Sequence, residues 1–268
     1  MRWTVVLPLL CHLAMAEDLT FPSPAPLPDL MFPLGNGTLF TSIGGDTKYE
    51  TFPLFTDLDP AKAEQPADPK KPGLNFTGTS RAVVTLDWLN DEAPATNYKH
   101  RLDLADGTSV ITFQRGGAGF TWTTFISKPD DLIVLHLRTD KPGALSFSVA
   151  LGAKDGKETK ARVEERRMLA LQSKDFAARV WVYPMESEVT PGENEITVKG
   201  EGEALVLIAA TTDANKASHL PDRLKPLTGE DHPDAFALWT GLLERHRKAY
   251  QAANKAATFA GHLDAIRK

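Results

Sequence analysis

From Asn97 to Val149 the sequence is a succession of short alternating runs, each cut off by turn residues, and that rhythm leaves few folds open. Residues 98–104, 109–115, 120–127, 131–139 and 144–152 each read as a strand, with Asp106-Gly107 as a hairpin signal and Gly116-Gly117-Ala118-Gly119 as a second tight connection. Upstream, residues 82–88 alternate, with Val83, Thr85 and Asp87 on one face and Val84, Leu86 and Trp88 on the other. Residues 39–43 and 49–55 read as strands around Gly44-Gly45-Asp46. More strands fit 161–165, 168–173, 177–184, 195–199 and 204–211, interrupted by Pro191-Gly192-Glu193-Asn194 and Gly200-Glu201-Gly202. So many short strands predict a mainly β fold, an antiparallel β-sandwich over 30–212, with a closed barrel as the alternative.

After Thr212 the pattern changes. Residues 213–233 read as a loop with Pro221, Pro226 and Pro233. From Asp234 a helical period sets in, with Phe236, Trp239, Leu243, Arg247, Tyr250, Ala253 and Ala257 on one stripe. Asp231 or Asp234 is placed to cap this C-terminal, linker-type helix within 213–268, and Gly261 to end it. The stripe is expected to fold back on the sandwich through Phe236, Trp239 and Leu243, and to be held less firmly after Tyr250.

The N-terminus reads as a signal peptide over 1–16. Arg2 supplies the positive charge, residues 5–13 a short apolar stretch, and Ala14-Met15-Ala16 a cleavage site. That stretch is too short to span a membrane. Cys11, the single cysteine, falls inside it; a lipid anchor there is the alternative, disfavoured by the bulk of Leu10. Export to the periplasm or exterior of a bacterium is therefore expected, without a disulfide framework. Residues 17–29 are proline-rich and predict an extended surface segment. The net charge of −5 argues against a nucleic-acid partner.

Chemistry-bearing patterns are sparse. Asp57 with Asp59 and Asp130 with Asp131 are the most suggestive carboxylate pairs, yet both sit where turn chemistry explains them. His100, His136, His219, His232, His246 and His262 show no zinc-site spacing, so no metal and no cofactor are expected. His136, between Leu135 and Leu137, should point away from them, outward or satisfied locally. The glycines at 116, 117 and 119 lack the strand-to-helix context of a nucleotide-binding loop. Asn36-Gly37-Thr38 and Asn75-Phe76-Thr77 have the form of glycosylation sites, without meaning in a bacterial chain. Trp88, Trp122, Trp181 and Trp239 could stack on sugar rings, but aromatics of this kind are more often core.

Several segments together resemble the N-terminal β-sandwich domain of glycoside hydrolase family 95, the α-L-fucosidases. They are Pro33-Leu34-Gly35-Asn36-Gly37, Tyr98-x-x-Arg101-Leu102-Asp103-Leu104, Phe125-x-Ser127-x-Pro129-Asp130 with the strand 133–137 behind it, and Lys141-Pro142-Gly143-x-Leu145-x-Phe147. Ala209-Ala210-Thr211-Thr212 and Glu244-Arg245-His246 resemble the family's passage from sandwich to linker. The resemblance implies a supersandwich-like fold. It also implies that the catalytic acid and its activating asparagines belong to a helical barrel following the sandwich, so that no catalytic residue falls in this chain. There are departures: Thr38-Leu39-Phe40-Thr41 and Thr51 to Thr56 stand where the family has glycine, Asn-Glu and Trp-Ser-Gly segments, and threonines with Trp122 replace an Arg-Glu pair. The expectation is an exported sandwich domain of an α-L-fucosidase-like hydrolase, stand-alone or truncated at Lys268, and non-catalytic by itself. Its partner would be a separate catalytic domain or a glycan. A secreted carbohydrate-binding module is the second reading, its sugar-binding residues unknown, and a glycosidase with its own carboxylate pair the third.

Overall fold

A computed structural model describes residues 18–25, 31–56, 80–89, 93–153, 160–186, 188–213, 216 and 234–256. They form two antiparallel sheets packed face to face and one helix, so the sandwich is realised rather than a closed barrel. The larger sheet runs, edge to edge, β1 (Leu19–Phe21), β6 (Thr96–Asp103), β7 (Thr108–Arg115), β8 (Ala118–Ser127), β9 (Leu132–Thr139), β16 (Glu203–Thr211), β13 (Ala177–Pro184), β12 (Met168–Gln172) and β11 (Arg162–Glu164). The smaller runs β14 (Thr190–Pro191), β15 (Glu195–Glu201), β10 (Leu145–Ala153), β5 (Ala82–Trp88), β4 (Tyr49–Thr56), β3 (Leu39–Ile43) and β2 (Phe32–Gly35). The helix, α1, is Ala235–Ala256.

The proline-rich start contributes more than a surface ribbon, because β1 pairs with β6 and adds an edge strand to the larger sheet. Strand β2 escapes the pattern reading. Pro33 lowers its strand signal, and an edge position is where a strand tolerates the missing N–H. The turn after it is held by Asn36, whose Oδ1 accepts the backbone N–H groups of Thr38 and Leu39 at 2.9 and 2.8 Å.

Between the sheets lies the main core. Alternate residues of β4, β5 and β10 (Phe52, Leu54, Val84, Leu86, Phe147, Val149) meet Ile111, Trp122, Leu135, Val180 and Val206 of the larger sheet. One end is aromatic. Trp88 and Trp122 stack across the sheets with centroids 4.7 Å apart and planes 7° from parallel, and Phe113 meets Trp122 edge-on at 5.0 Å. Trp88 and Trp122 are therefore core rather than sugar platforms, joining the two layers at a point where offset aromatic pairs add to area burial.

Strands β9, β13 and β16 are buried along almost their whole length, on both faces. A sheet of that kind needs a second cover. Helix α1 supplies it, and a second apolar cluster forms between Leu238, Leu242 and the outward-facing Phe125, Val134, Trp181, Leu205 and Leu207. Trp181 thus packs beneath the helix, also away from solvent.

Replacing Trp122 by alanine removes a ring that is 4% exposed and leaves Trp88 unstacked. The expected loss is about 3–5 kcal/mol of unfolding free energy, read from urea denaturation of the two proteins.

Candidate functional site

The helix and the sheet beneath it carry most of the chemistry that the sequence spread along the chain. Asp234 caps the helix, its Oδ1 accepting the N–H groups of Phe236 and Ala237 at 2.8 and 3.2 Å. The stripe pressed onto the sheet is Ala235, Leu238, Leu242 and His246, all buried. Phe236, expected to fold back, is instead 60% exposed, and Ala253 is also exposed. The sequence there, Phe-Ala-Leu-Trp-Thr-Gly-Leu-Leu, offers two apolar stripes one residue apart. The sheet takes the leaner one, whose leucines fit between Phe125 and Trp181, and turns the aromatic one outward. Trp239 and Leu243 straddle the boundary, half-buried against the second cluster.

Polar contacts fasten the helix at two hairpin tips. At the β8–β9 turn, the Asp130 carboxylate accepts Arg245 Nε at 3.0 Å and Ser127 Oγ at 2.6 Å, with its side chain only 4% exposed. At the β6–β7 turn, Asp106 accepts Arg247 Nε at 2.8 Å through its carboxylate and His246 Nε2 at 2.9 Å through its carbonyl. The Tyr250 hydroxyl reaches the Leu104 carbonyl at 3.3 Å. Its ring lies against Gly107, where a Cβ would come within 2.5 Å and where φ is +67°. Two independent reasons therefore require glycine there. Tyr250 is consequently one of the helix's fixed points, and residues 251–253 beyond it are exposed.

Histidines are structural in this arrangement. His246 stacks on Phe125 at 4.3 Å, and burial holds its pKa below the ordinary value. His136 does point away from Leu135 and Leu137, and of the two expected outcomes it is satisfied locally, in the sheet–helix contact, rather than outward. Trp239 stacks on it at 4.0 Å and the Glu203 carboxylate bonds its Nε2. Burial lowers its pKa, with Glu203 opposing. His100 is fully buried on β6 with Nε2 2.7 Å from Ser109 Oγ. His219, His232 and His262 lie outside the described residues, as do Asp57, Asp59 and Gly261.

Asp130 and Asp131 do not act as a pair. Asp131, with φ at +52°, turns its carboxylate to Asn36 Nδ2 and Thr38 Oγ1 at 3.0 and 2.6 Å, fastening the β2–β3 turn, while Asp130 serves the helix. The Gly116-Gly117 step is a hairpin turn with both φ positive. No group of three metal-ligating side chains occurs among the described residues. No helix there is long and apolar enough to cross a membrane. The shallow depression along the outer side of the helix, about 670 Å³, is lined by Thr240, Leu243, Glu244, Arg247, Lys248, Gln251 and Ala252. Among the described lining residues Glu244 is the one carboxylate. The depression's apolar wall and the neighbouring Phe236 suit a protein surface.

A family profile, glycosyl hydrolase family 65, N-terminal domain, matches residues 70–217. The chain belongs to this family. That corrects the specific likeness to family 95 while keeping the class, the N-terminal β-sandwich of a glycoside hydrolase. Among solved structures, a protein assigned as a kojibiose phosphorylase from the human microbiome aligns at 12% identity and TM-score 0.42, over 83% of this chain and 35% of that one. A bacterial glucoamylase complexed with acarbose aligns at 8% identity and TM-score 0.42, over 93% of this chain and 42% of that one. The chain thus spans well under half the length of either. No curated protein matches significantly.

In this family 65 N-terminal domain the Arg245–Asp130 contact is the one to break. Arg245→Ala leaves a nearly buried carboxylate with Ser127 as its remaining partner. It is expected to lower unfolding stability by about 1–3 kcal/mol and to speed amide exchange along the helix, as hydrogen–deuterium exchange would measure.

Proposed function

We propose that this domain is a non-catalytic part of an exported glycoside hydrolase or phosphorylase, and that helix α1 docks it onto a catalytic helical barrel. The observation behind this reading is the open stripe of the helix. Phe236 is 60% exposed beside half-buried Trp239 and Leu243, along a depression with both charge signs on its rim. A large apolar side chain held out of its own core is a typical anchor for a partner surface. An N-terminal domain of a glycosyl hydrolase is, by that description, followed by something else, and a barrel carrying the catalytic carboxylates is the partner the sequence resemblance implies. The export reading rests on residues 1–16.

The purified chain is expected to leave aryl α-L-fucoside and aryl α-glucoside uncleaved. With a barrel from the same genome it should form a complex in sedimentation, and Phe236→Asp should weaken that complex at least tenfold without changing the melting temperature. Turnover by the chain alone, abolished by a single Asp or Glu substitution, would reverse the proposal in favour of a self-sufficient glycosidase.

The glycan-binding alternative draws on a different observation. Tyr49, 52% exposed, stands directly opposite Asp87 on the outer face of the smaller sheet, with Ser148 and Thr197 continuing the same cross-strand row. An aromatic ring beside an exposed carboxylate, with the half-buried Thr197 further along the row and Ser148 buried between them, can hold a pyranose. Calorimetric titration with oligosaccharides decides it: binding lost in Tyr49→Ala favours this alternative, and no heat at millimolar sugar removes it.

A further inference from the structure

Strand β4 turns a glutamate into the apolar interior. Glu50 is 2% exposed and lines a small cavity of about 10 Å³ between the sheets, together with Ile43, Phe52, Leu86, Ile111 and Trp122. Its Oε1 accepts the backbone N–H groups of Gly44 and Thr51 at 3.0 and 3.2 Å. Its Oε2 has no hydrogen-bond partner among the described residues, nor has the Trp122 indole Nε1 on the facing sheet. The backbone N–H groups of Gly44, Gly45, Asp46 and Thr51 favour the ionised carboxyl, but burial among leucine, isoleucine and phenylalanine outweighs them and makes ionisation costly.

The loop held by Glu50 is a junction. Gly44 accepts the Ala25 N–H at 2.8 Å, which anchors the segment following β1. Gly45, with φ at +79°, lies so close under Tyr98 that a Cβ would come within 2.2 Å of its hydroxyl and 3.1 Å of His100 Nδ1. His100 in turn meets Phe32 of β2 edge-on at 4.6 Å, and Phe32 packs on Phe21 of β1 at 4.5 Å. One buried carboxyl thus sits beneath a loop that bonds the chain just after β1 and lies against the His100–Phe32–Phe21 row, while β1 and β2 keep their own ladders to β6 and β3.

We propose that Glu50 is a proton-operated latch. Protonated, it keeps the 44–46 loop closed over the inter-sheet cavity and, through Ala25, keeps the N-terminal edge seated. Ionised, it draws water into the cavity and releases both. The charged and titratable groups around it are few. Asp46 and Lys48 belong to its own hairpin, Tyr98 and His100 to β6, and Arg115 of β7 is held on the Thr47 carbonyl and hydroxyl at 2.7 Å each. The cavity residues from β5, β8 and β9 do not titrate.

Burial pushes the Glu50 carboxyl up from 4.5 to about 7, against the backbone N–H groups that pull it down. A folded-state value above the unfolded one makes its stabilisation complete below pH 4.5 and lost as pH rises through about 7. His100 has the opposite sign. Burial lowers it to about 4, so its contribution is complete above pH 6.5 and is lost as pH falls through about 4. The two slopes oppose each other in the unaltered chain, and removing the carboxyl leaves the His100 slope alone.

The test compares the purified chain with Glu50→Gln from pH 4 to 8.5, by thermal melting and amide exchange. The variant should gain on the parent as pH rises, by on the order of a hundredfold in the folding equilibrium constant. In the parent alone, exchange at Ala25, Gly44 and Thr51 should rise above the intrinsic base-catalysed increase. A difference that stays constant with pH, or exchange that rises uniformly over the fold, would overturn the latch. Should the variant not fold, carboxyl ¹³C titration of the parent decides. A midpoint near 7 that coincides with a selective rise of exchange at Ala25, Gly44 and Thr51 of the parent supports the latch, and a midpoint near 4.5 or a uniform rise removes it.

Discussion

A sheet that is apolar on both faces must be covered twice, and most of this architecture follows from that requirement. Strands β9, β13 and β16 carry Leu132 to Leu137, Ala177 to Val182 and Ala204 to Ala210 with scarcely a solvent-facing position. The smaller sheet covers one side. The other is covered by helix α1, which is held by the surface it caps. Remove the helix and Phe125, Trp181, Leu205 and Leu207 face water together.

The same requirement explains which parts of the fold were legible in sequence. Hairpins announced themselves, because Asp106-Gly107 and the glycines at 116 and 117 offer the backbone freedom such turns demand, and Gly107, Gly116 and Gly117 all take positive φ. The helix announced itself by its period and by Asp234. What periodicity could not decide was which of two adjacent stripes would be buried, since Phe236 and Leu238 both satisfy a helical pattern. The runs 132–137 and 204–210 did hold a clue. Continuous apolar strands, rather than alternating ones, mark a sheet buried on both sides, and the place for a helix could have been read from them.

Candidate chemistry was less legible because its meaning lies in spatial pairing. Asp130 and Asp131 are neighbours in sequence but serve opposite clients, one the helix and one the β2–β3 turn, 115 and 95 residues away along the chain. Glu50 looked unremarkable within an alternating strand. Only the direction of its side chain, inward between Phe52 and Leu86 where its strand neighbours Tyr49 and Thr51 turn outward, makes it unusual. Family likeness held at the level of the class, the N-terminal β-sandwich of a glycoside hydrolase, because many weak positions sum there, but they did not separate family 95 from family 65.

The way the helix is fastened has a mechanical consequence. Its charged contacts go to the tips of two consecutive hairpins, Asp106 between β6 and β7 and Asp130 between β8 and β9, rather than to the body of one strand. Four neighbouring strands are thereby tied at one end to a common rigid rod about 33 Å long. Sliding any of them past the next requires stretching an ion pair as well as a ladder of backbone bonds. Load applied through the helix is therefore shared across the sheet in shear, which suits an element that orients one body against another.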